Sequence, residues 1–556
     1  MYVKKIIVLC LALVAVFFFL GQQLSPLDPH FFSFHDNTQA ARLQEFAFNI
    51  QNGMVPPRVA PHFSFNNGFP VFNFYAPFTY WVGGILHLAG FSSALSLKLV
   101  LLGGLFISFI SFFLFASLFF GLWGGLLGAV VYSSSLWMAV EIFVRGNVGE
   151  LWFIALLPLC LYFLKRNDAE KGGILFLTSC IAFSFLFSVH NVLSLISVFF
   201  VSLVALTMQN KKKAFLSIGV GLILSSYFLI PAVLENKLTY ANEIASRTKY
   251  TDHFLCAWQL WRANKWSFGG SGIGCLNDDM SFQIGKVHIL LAGIGIGVFL
   301  LHLITKKKKK DFVLPALILG FSLLTAFLTI DISKPLWDLF APMVKVFQFP
   351  WRLLPFVVFG VAFFASYSIN LLKNEKINAG IAIVISLGIL YSSHKFFSKP
   401  WNYSTDEYSS MYLSDAYIQQ RAAYEIPEYF PRSGNYSAWR AFDKSTTGFD
   451  AYPMQFKVNT PFYKELVVNT GLLTLPIHYF PFWEIRINGV VYHPKSFDSL
   501  GRPILSNLPI NSTITVRYTE TLTEKAGDII TILAFIALVA ITTNKHLWKK
   551  MNTILQ

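Results

Sequence analysis

The ionisable residues of this chain stand out against an apolar background, and the densest collection lies between Gly21 and Gly90. This stretch carries Asp28, His30, His35, Asp36, Arg42, Glu45, Arg58 and His62, punctuated by Gly and Pro and filled with aromatic side chains. A connection of this length is uncommon unless it has a function of its own. Asp36 is the leading candidate for a catalytic carboxylate, because a positioned carboxylate can take the proton of an attacking hydroxyl. His35 beside it could tune it or bind a metal. The other reading is an Asp that caps a helix starting at Asn37-Thr38, and the two roles are compatible. Arg58 and His62 flank Pro61 and could line the same cavity.

Three further groups have the residue types for chemistry. Glu141 and Arg145 are four apart and share a helix face, while Glu150 opens the next helix across the RGNVG turn. Ionisable groups at membrane depth face a cavity or one another. The group is therefore either a salt bridge tying two helices or a second active-site carboxylate with an arginine to orient it. Gln348-Phe349-Pro350-Trp351-Arg352 breaks the chain and then begins an apolar segment, which leaves Arg352 at an interface. Arginine suits bidentate phosphate recognition, and snorkelling to lipid headgroups is the competing reading. His190-Asn191 lies at a turn between two apolar segments, where a lone His is more often structural than functional. Asp278-Asp279, near Gly269 to Gly272, could bind a metal or sit in a solvated turn.

The elements that must position these groups are membrane helices. The 556 residues are 54% hydrophobic and 13% charged, with mean hydropathy +0.54, which excludes an ordinary soluble protein. The net charge of +15 does not indicate nucleic acid. Its lysines fall in short runs between apolar stretches: Lys4-Lys5, Lys165-Arg166, Lys211 to Lys213, Lys306 to Lys310 and Lys549-Lys550. This is the pattern of cytoplasmic loops. Apolar segments of about 20 residues occur at 6–24, 95–118, 122–141, 148–164, 172–189, 192–209, 214–232, 286–305, 311–330, 352–372, 377–394 and 527–544, about twelve spans. The basic runs all fall on one side only if 75–90 does not cross. Both termini are then expected in the cytoplasm, with an uncleaved first helix. The polar loops 25–94, 233–285 and 331–350 fall on the outer side together with the segment 395–526.

The chain thus divides into a membrane domain, 1–394, an inserted outer domain, 395–526, and a last helix with a basic tail, 527–556. The insertion begins Tyr-rich and continues in alternating, strand-like runs. Asn488-Gly489 between EIRI and VVYH is a type I′ hairpin signal, and a small β-sandwich is expected. Of five cysteines, Cys10, Cys160 and Cys180 lie in apolar helices. Cys256 and Cys275 share one outer loop, and a disulfide between them is expected. No CxxC-type metal spacing occurs.

Several stretches carry a family resemblance: GMVPPRVAP, NNGFPVFNFYAPFTYW, FVRGNVGELW, VFQFPWRLLPF, EIPEYFP and FPFWEIRINGVV. Together they resemble the bacterial membrane proteins called "6-pyruvoyl-tetrahydropterin synthase-related" and the neighbouring YfhO-type proteins. The resemblance covers nearly the whole chain. It implies a layout similar to GT-C glycosyltransferases, which use polyprenyl-phosphate sugars at the outer face of the bacterial cytoplasmic membrane. In such enzymes a carboxylate early in the first outer loop works as base or metal ligand, the place Asp36 holds here. Many carry paired acids, whereas Asp36 is followed by Asn37, which weakens the version with a divalent metal. The resemblance implies a glycosyltransferase with Asp36, Glu141 and Glu150 as candidate catalytic residues. His35, Arg58, His62, Arg145, His190 and Arg352 are the candidate substrate-binding residues. Its partners would be a polyprenyl-phosphate sugar and membrane lipids. A lipid-sugar or solute transporter would place its charges in mid-span, and a non-catalytic envelope scaffold would lack the charged loop residues.

Overall fold

The computed structural model describes residues 2–170, 172–263, 266–305, 312–344, 347–371, 374–400, 402–442 and 456–555. The expected basic loop Lys306 to Lys310 lies outside these. Among the described residues, seven helices are long and apolar enough to cross a membrane, eight if a bent pair counts as one span. They are α1 (Val3–Leu24), α4 (Ser93–Ser133), α5 (Val148–Ala169), α10 (Lys286–Thr305), α12 (Pro350–Leu371), α13 (Glu375–Phe396) and α14 (Leu522–Thr543). The bent pair is α8 (Lys211–Leu224) with α9 (Ser226–Leu234), which turn 67° about Ser225. Three shorter apolar helices, α6 (Gly173–Phe187), α7 (Asn191–Ala205) and α11 (Val313–Thr329), fill the remaining expected positions. Two more helices, α2 (Gln39–Gln51) and α3 (Phe78–Leu88), belong to the first long loop. In α1 and α14 only 11% and 17% of the apolar window is covered by the rest of the chain. Apolar faces so bare are stable against lipid and not against water. The protein is therefore a multi-pass membrane protein.

The 41 residues of α4 do not form one rod. Gly121 has φ 67° and ψ −166°, a conformation open to glycine alone. The rings of Phe112 and Tyr132 lie 4.5 Å apart, whereas a straight helix would separate them by about 30 Å. The element is thus a hairpin of two helices, as the separate segments 95–118 and 122–141 suggest. Its start lies beside the first loop, where Lys98 Nζ donates to Asp28 O at 2.7 Å. Its turn lies at the far end, where Lys4 sits 5.4 Å over the Trp123 ring. The 11 residues of α3 reach about 16 Å, too short to cross.

The polar segments meet at one end of the bundle. Loop residue His35 donates from Nε2 to Phe268 O at 3.1 Å. Leu255 N and Asp331 N exchange bonds with Thr329 O and Leu255 O. The basic runs meet at the other end, where Lys213 Nζ donates to Asn167 O and Glu170 O and lies 5.5 Å from the Trp548 ring.

The strands cover the loop end. The first loop supplies β1 (His30–Phe31), which pairs with β2 (Tyr403–Ser404). Beyond β2, residues 405–440 form short helices. Then come β3 (Phe456–Asn459), β4 (Tyr463–Val468), β5 (Leu472–Thr474), β6 (Trp483–Ile487), β7 (Val490–Tyr492), β8 (Ile504–Ser506) and β9 (Ser512–Tyr518). Five make one antiparallel sheet in the order β3-β4-β9-β6-β7, and β5 with β8 makes a separate ribbon. Asn488 (φ 50°) and Gly489 (φ 83°) close the β6–β7 hairpin between paired Ile487 and Val490, as a type I′ turn requires. The expected sandwich is thus one five-stranded sheet with a two-stranded ribbon.

Candidate functional site

Where the first loop meets the bundle there is a cavity of about 950 Å³. One end is polar, with His35, Asp36, Arg42, Arg145, Arg352 and Glu428 among its lining. The other end is apolar, lined by Leu195 and Val198 of α7 and by Leu222, Leu229 and Val233 of the bent pair. Leu195 and Val233 are 62% and 71% exposed, so the cavity is not sealed on this side.

Asp36 is placed by its backbone. His35 N and Asp36 N donate to Val144 O and Arg145 O, both at 3.0 Å. The segment Val140–Arg145 ends on Gly146 with φ 62°, the left-handed conformation that favours glycine. A Cβ on Gly146 would come within 2.1 Å of the Phe34 ring. The missing side chain thus lets Phe34 lie on the turn and hold the next two residues against it. The helix after Asp36 starts at Gln39 with Thr38 as N-cap residue and no side-chain cap bond. Asp36 is therefore not its cap: its carboxylate accepts one side-chain bond, from Gln39 Nε2 at 3.4 Å.

Arg145 Nη1 lies 2.6 Å from Glu141 Oε1 and 2.8 Å from Glu150 Oε2, and its guanidinium stacks 4.6 Å from the Trp351 ring. Glu150 Oε1 is also 3.5 Å from Arg352 Nε and 3.6 Å from His190 Nε2. Arg352 Nη1 donates to Phe347 O and Gln348 Oε1, each at 3.1 Å. Its Nη2 has no hydrogen-bond partner among the described residues. Glu141 and Glu150, expected as candidate bases, are placed away from the cavity lining. Both are fully buried and lie behind Arg145. They balance the charge of Arg145 and Arg352 and fix where these cations point.

Arg58 and His62 are likewise not among the cavity lining. Arg58 is 1% exposed and turned away from the cavity, with Nη2 2.8 Å from Asp528 Oδ1 and Nη1 donating to Tyr227 O at 2.8 Å. A second bond set continues this network, because Asn73 Nδ2 donates to Glu524 Oε1 at 2.6 Å. His62 pairs with Glu45, Nδ1 to Oε1 at 2.7 Å, and that bond raises the imidazole above its ordinary value. Asp278 accepts from Gly272 N, Ser271 Oγ and Gln259 Nε2, which makes it a loop brace. Cys256 and Cys275 are bonded, with Cα atoms 5.4 Å apart.

Two cavity residues escaped the sequence reading. Arg42 stood among the loop's charges without a role, yet it is 2% exposed and stacks 4.7 Å from the Tyr75 ring. No carboxylate lies within ion-pair distance of it among the described residues. Glu428 belongs to the EIPEYFP stretch, a signal that was present but unused. Burial pushes its carboxyl up, against the pull of Arg42 and Arg352. Among the described residues, the one His/Cys/Asp/Glu trio with ligand atoms within 4.8 Å of one another is Cys256, Cys275 and Asp331. Its two sulfurs are already joined, so the donor set does not suit a metal, and Asp36 and Glu428 belong to no such group.

No family model matches the chain, and no curated protein sequence matches it. The resemblance to the 6-pyruvoyl-tetrahydropterin synthase-related proteins is thus without a matching family. Among solved structures, arabinofuranosyltransferase AftD from mycobacteria is similar at TM-score 0.45 and 11% identity over 73% of this chain. This chain spans only 29% of that protein's length. ArnT from Cupriavidus metallidurans, solved bound to undecaprenyl phosphate, is similar at TM-score 0.39 and 10% identity, over 77% of this chain and 78% of that one.

Proposed function

We propose that the protein is a membrane glycosyltransferase of GT-C type that takes its sugar from a polyprenyl-phosphate donor at the outer face of the bacterial cytoplasmic membrane. The observation that carries this reading is the two-sided cavity. Its apolar arm, between α7 and the bent pair, suits an isoprenoid tail entering from the bilayer, and its polar end offers Arg352 Nη2 to a phosphate. The sugar would then lie beside Asp36. The acceptor O–H bond breaks and its proton passes to Asp36. The acceptor oxygen bonds the anomeric carbon, and the bond from that carbon to the phosphate oxygen breaks, its electron pair leaving on the phosphate beside Arg352. The loop end is outer and the basic end cytoplasmic in this reading, so both termini are cytoplasmic and 395–526 belongs to an outer domain. The chain would thus modify a cell-envelope glycan or glycolipid.

A polyprenyl phosphate carrying a diazirine in its tail tests this. In nanodiscs it should label peptides from α7 and α9, and excess undecaprenyl phosphate should compete. Labelling spread evenly over all exposed helices would sink the proposal.

A further inference from the structure

Four residues at the polar end form a chain whose direction chemistry fixes from both ends. Arg42 Nη1 lies 3.0 Å from Tyr80 Oη, Tyr80 Oη 2.7 Å from Gln39 Oε1, and Gln39 Nε2 3.4 Å from Asp36 Oδ2. A guanidinium can only donate, so the Tyr80 oxygen accepts and its O–H must point onward. An ionised carboxylate can only accept, so Gln39 turns its NH₂ to Asp36 and its carbonyl to Tyr80. Every donor in the chain points from the cation toward the carboxylate. Gln39, Arg42 and Tyr80 are 1%, 2% and 2% exposed, so water does not short-circuit the chain, and bonds aligned in this way polarise one another. Burial pushes the Tyr80 phenol up, which keeps the proton that the chain requires.

The fold builds this deliberately close. Gln39 and Arg42 lie three apart on one face of α2, and Tyr80 comes from α3. The two helices meet at Gly83 and Gly84, where an added Cβ would come within 2.2 Å of Leu43 Cδ1 and 3.1 Å of Phe46 Cδ1. Tyr80 lies one turn before these glycines, so its hydroxyl falls between the two α2 side chains. The other side-chain hydrogen bond of Arg42 goes to the neutral Thr38 hydroxyl, so the chain toward Asp36 is its one route to a carboxylate among the described residues.

We propose that Arg42 is a positioning residue that acts on Asp36 through Tyr80 and Gln39, directing a chain of donors onto the carboxylate and orienting it without touching the substrate. This rests on Asp36 being the base of the proposed transfer, but its test does not need transfer. Carbodiimides capture only protonated carboxyls, so the rate at which Asp36 is labelled at fixed neutral pH, read by peptide mass spectrometry on the full chain in nanodiscs, reports the relay. The exposed Asp406 serves as control. Tyr80→Phe keeps the ring and removes the link, and should raise Asp36 labelling about tenfold, equivalent to ~1.4 kcal/mol, with Asp406 unchanged. Arg42→Gln should do the same, and Arg42→Lys, which keeps the charge, should stay within about twofold of the wild type. Gln39→Met breaks the last link and reads the same effect if Tyr80→Phe does not fold. Unchanged labelling in a folded Tyr80→Phe or Gln39→Met protein, or equal rises in Arg42→Lys and Arg42→Gln, overturns the relay. Loss of the glycosyltransferase reading alone would leave these labelling differences in place.

Discussion

The two halves of the first long loop look alike in sequence and behave oppositely in the structure. Residues 31–46 and residues 58–65 each set an arginine, a histidine and polar groups among aromatic residues. The second half is sealed. Arg58 closes on Asp528, and Ser64 bridges the buried His478 and Trp439, at 2.6 and 2.8 Å. The first half is open, because Asp36 and Arg42 line the cavity and neither meets an opposite charge at contact distance among the described residues. A buried cation with a carboxylate against it is a fastener, whereas one held only by hydroxyls and a relay remains available to act on something else.

Substitutions should separate the halves, and the largest effect belongs to the open one. Asp36→Asn should lower transfer by about 10²–10⁴-fold while thermal stability and undecaprenyl phosphate binding hold; retained turnover would make Asp36 an ordinary loop residue. In the sealed half, Arg58→Met leaves Asp528 without its partner and should cost about 3–5 kcal/mol, seen as a lower denaturation midpoint with donor binding unchanged. A loss of donor affinity without destabilisation would put Arg58 back in the site.

The sealed half should also respond to acid. Burial pushes His478 down to about 4, below its unfolded value of about 6.5. The neutral imidazole donates from one nitrogen to Leu500 O and accepts at the other from Ser64. The stability it contributes is complete above pH 6.5 and is lost as pH falls toward 4, up to about 3 kcal/mol. His478→Gln should flatten that part of the profile, and an unchanged profile would argue against a buried neutral His478. The smallest effect is expected across the cavity, where Arg352→Lys keeps charge but loses the fork. Undecaprenyl phosphate affinity should fall about tenfold, equivalent to ~1.4 kcal/mol, in a titration that leaves Arg58 variants unaffected.

Local features were legible in the sequence, and distant partnerships were not. The apolar runs marked the helices because a lipid-exposed span must be apolar along its length. The spacing of Glu141, Arg145 and Glu150 announced their ion pairs, and Asn488-Gly489 its hairpin. The fate of Arg58 could not be read, since Asp528 lies 470 residues away. Tyr80 looked like one more aromatic in an apolar run, because its role depends on how close α3 approaches α2. Asp36 was visible as a charge in a long loop, but its presentation to a cavity depends on α7, the bent pair and the 425–429 turn, none of which borders it in sequence.

The contact of Phe34 on Gly146 affects how mutations in this protein would be interpreted. Gly146 has no functional group and touches no substrate, so a survey of variants would class it as scaffold. Any side chain there must push Phe34 aside, and the displacement travels two residues along the chain to Asp36. Gly146→Ala would then mimic the loss of Asp36 in a genetic screen while the purified protein still folded.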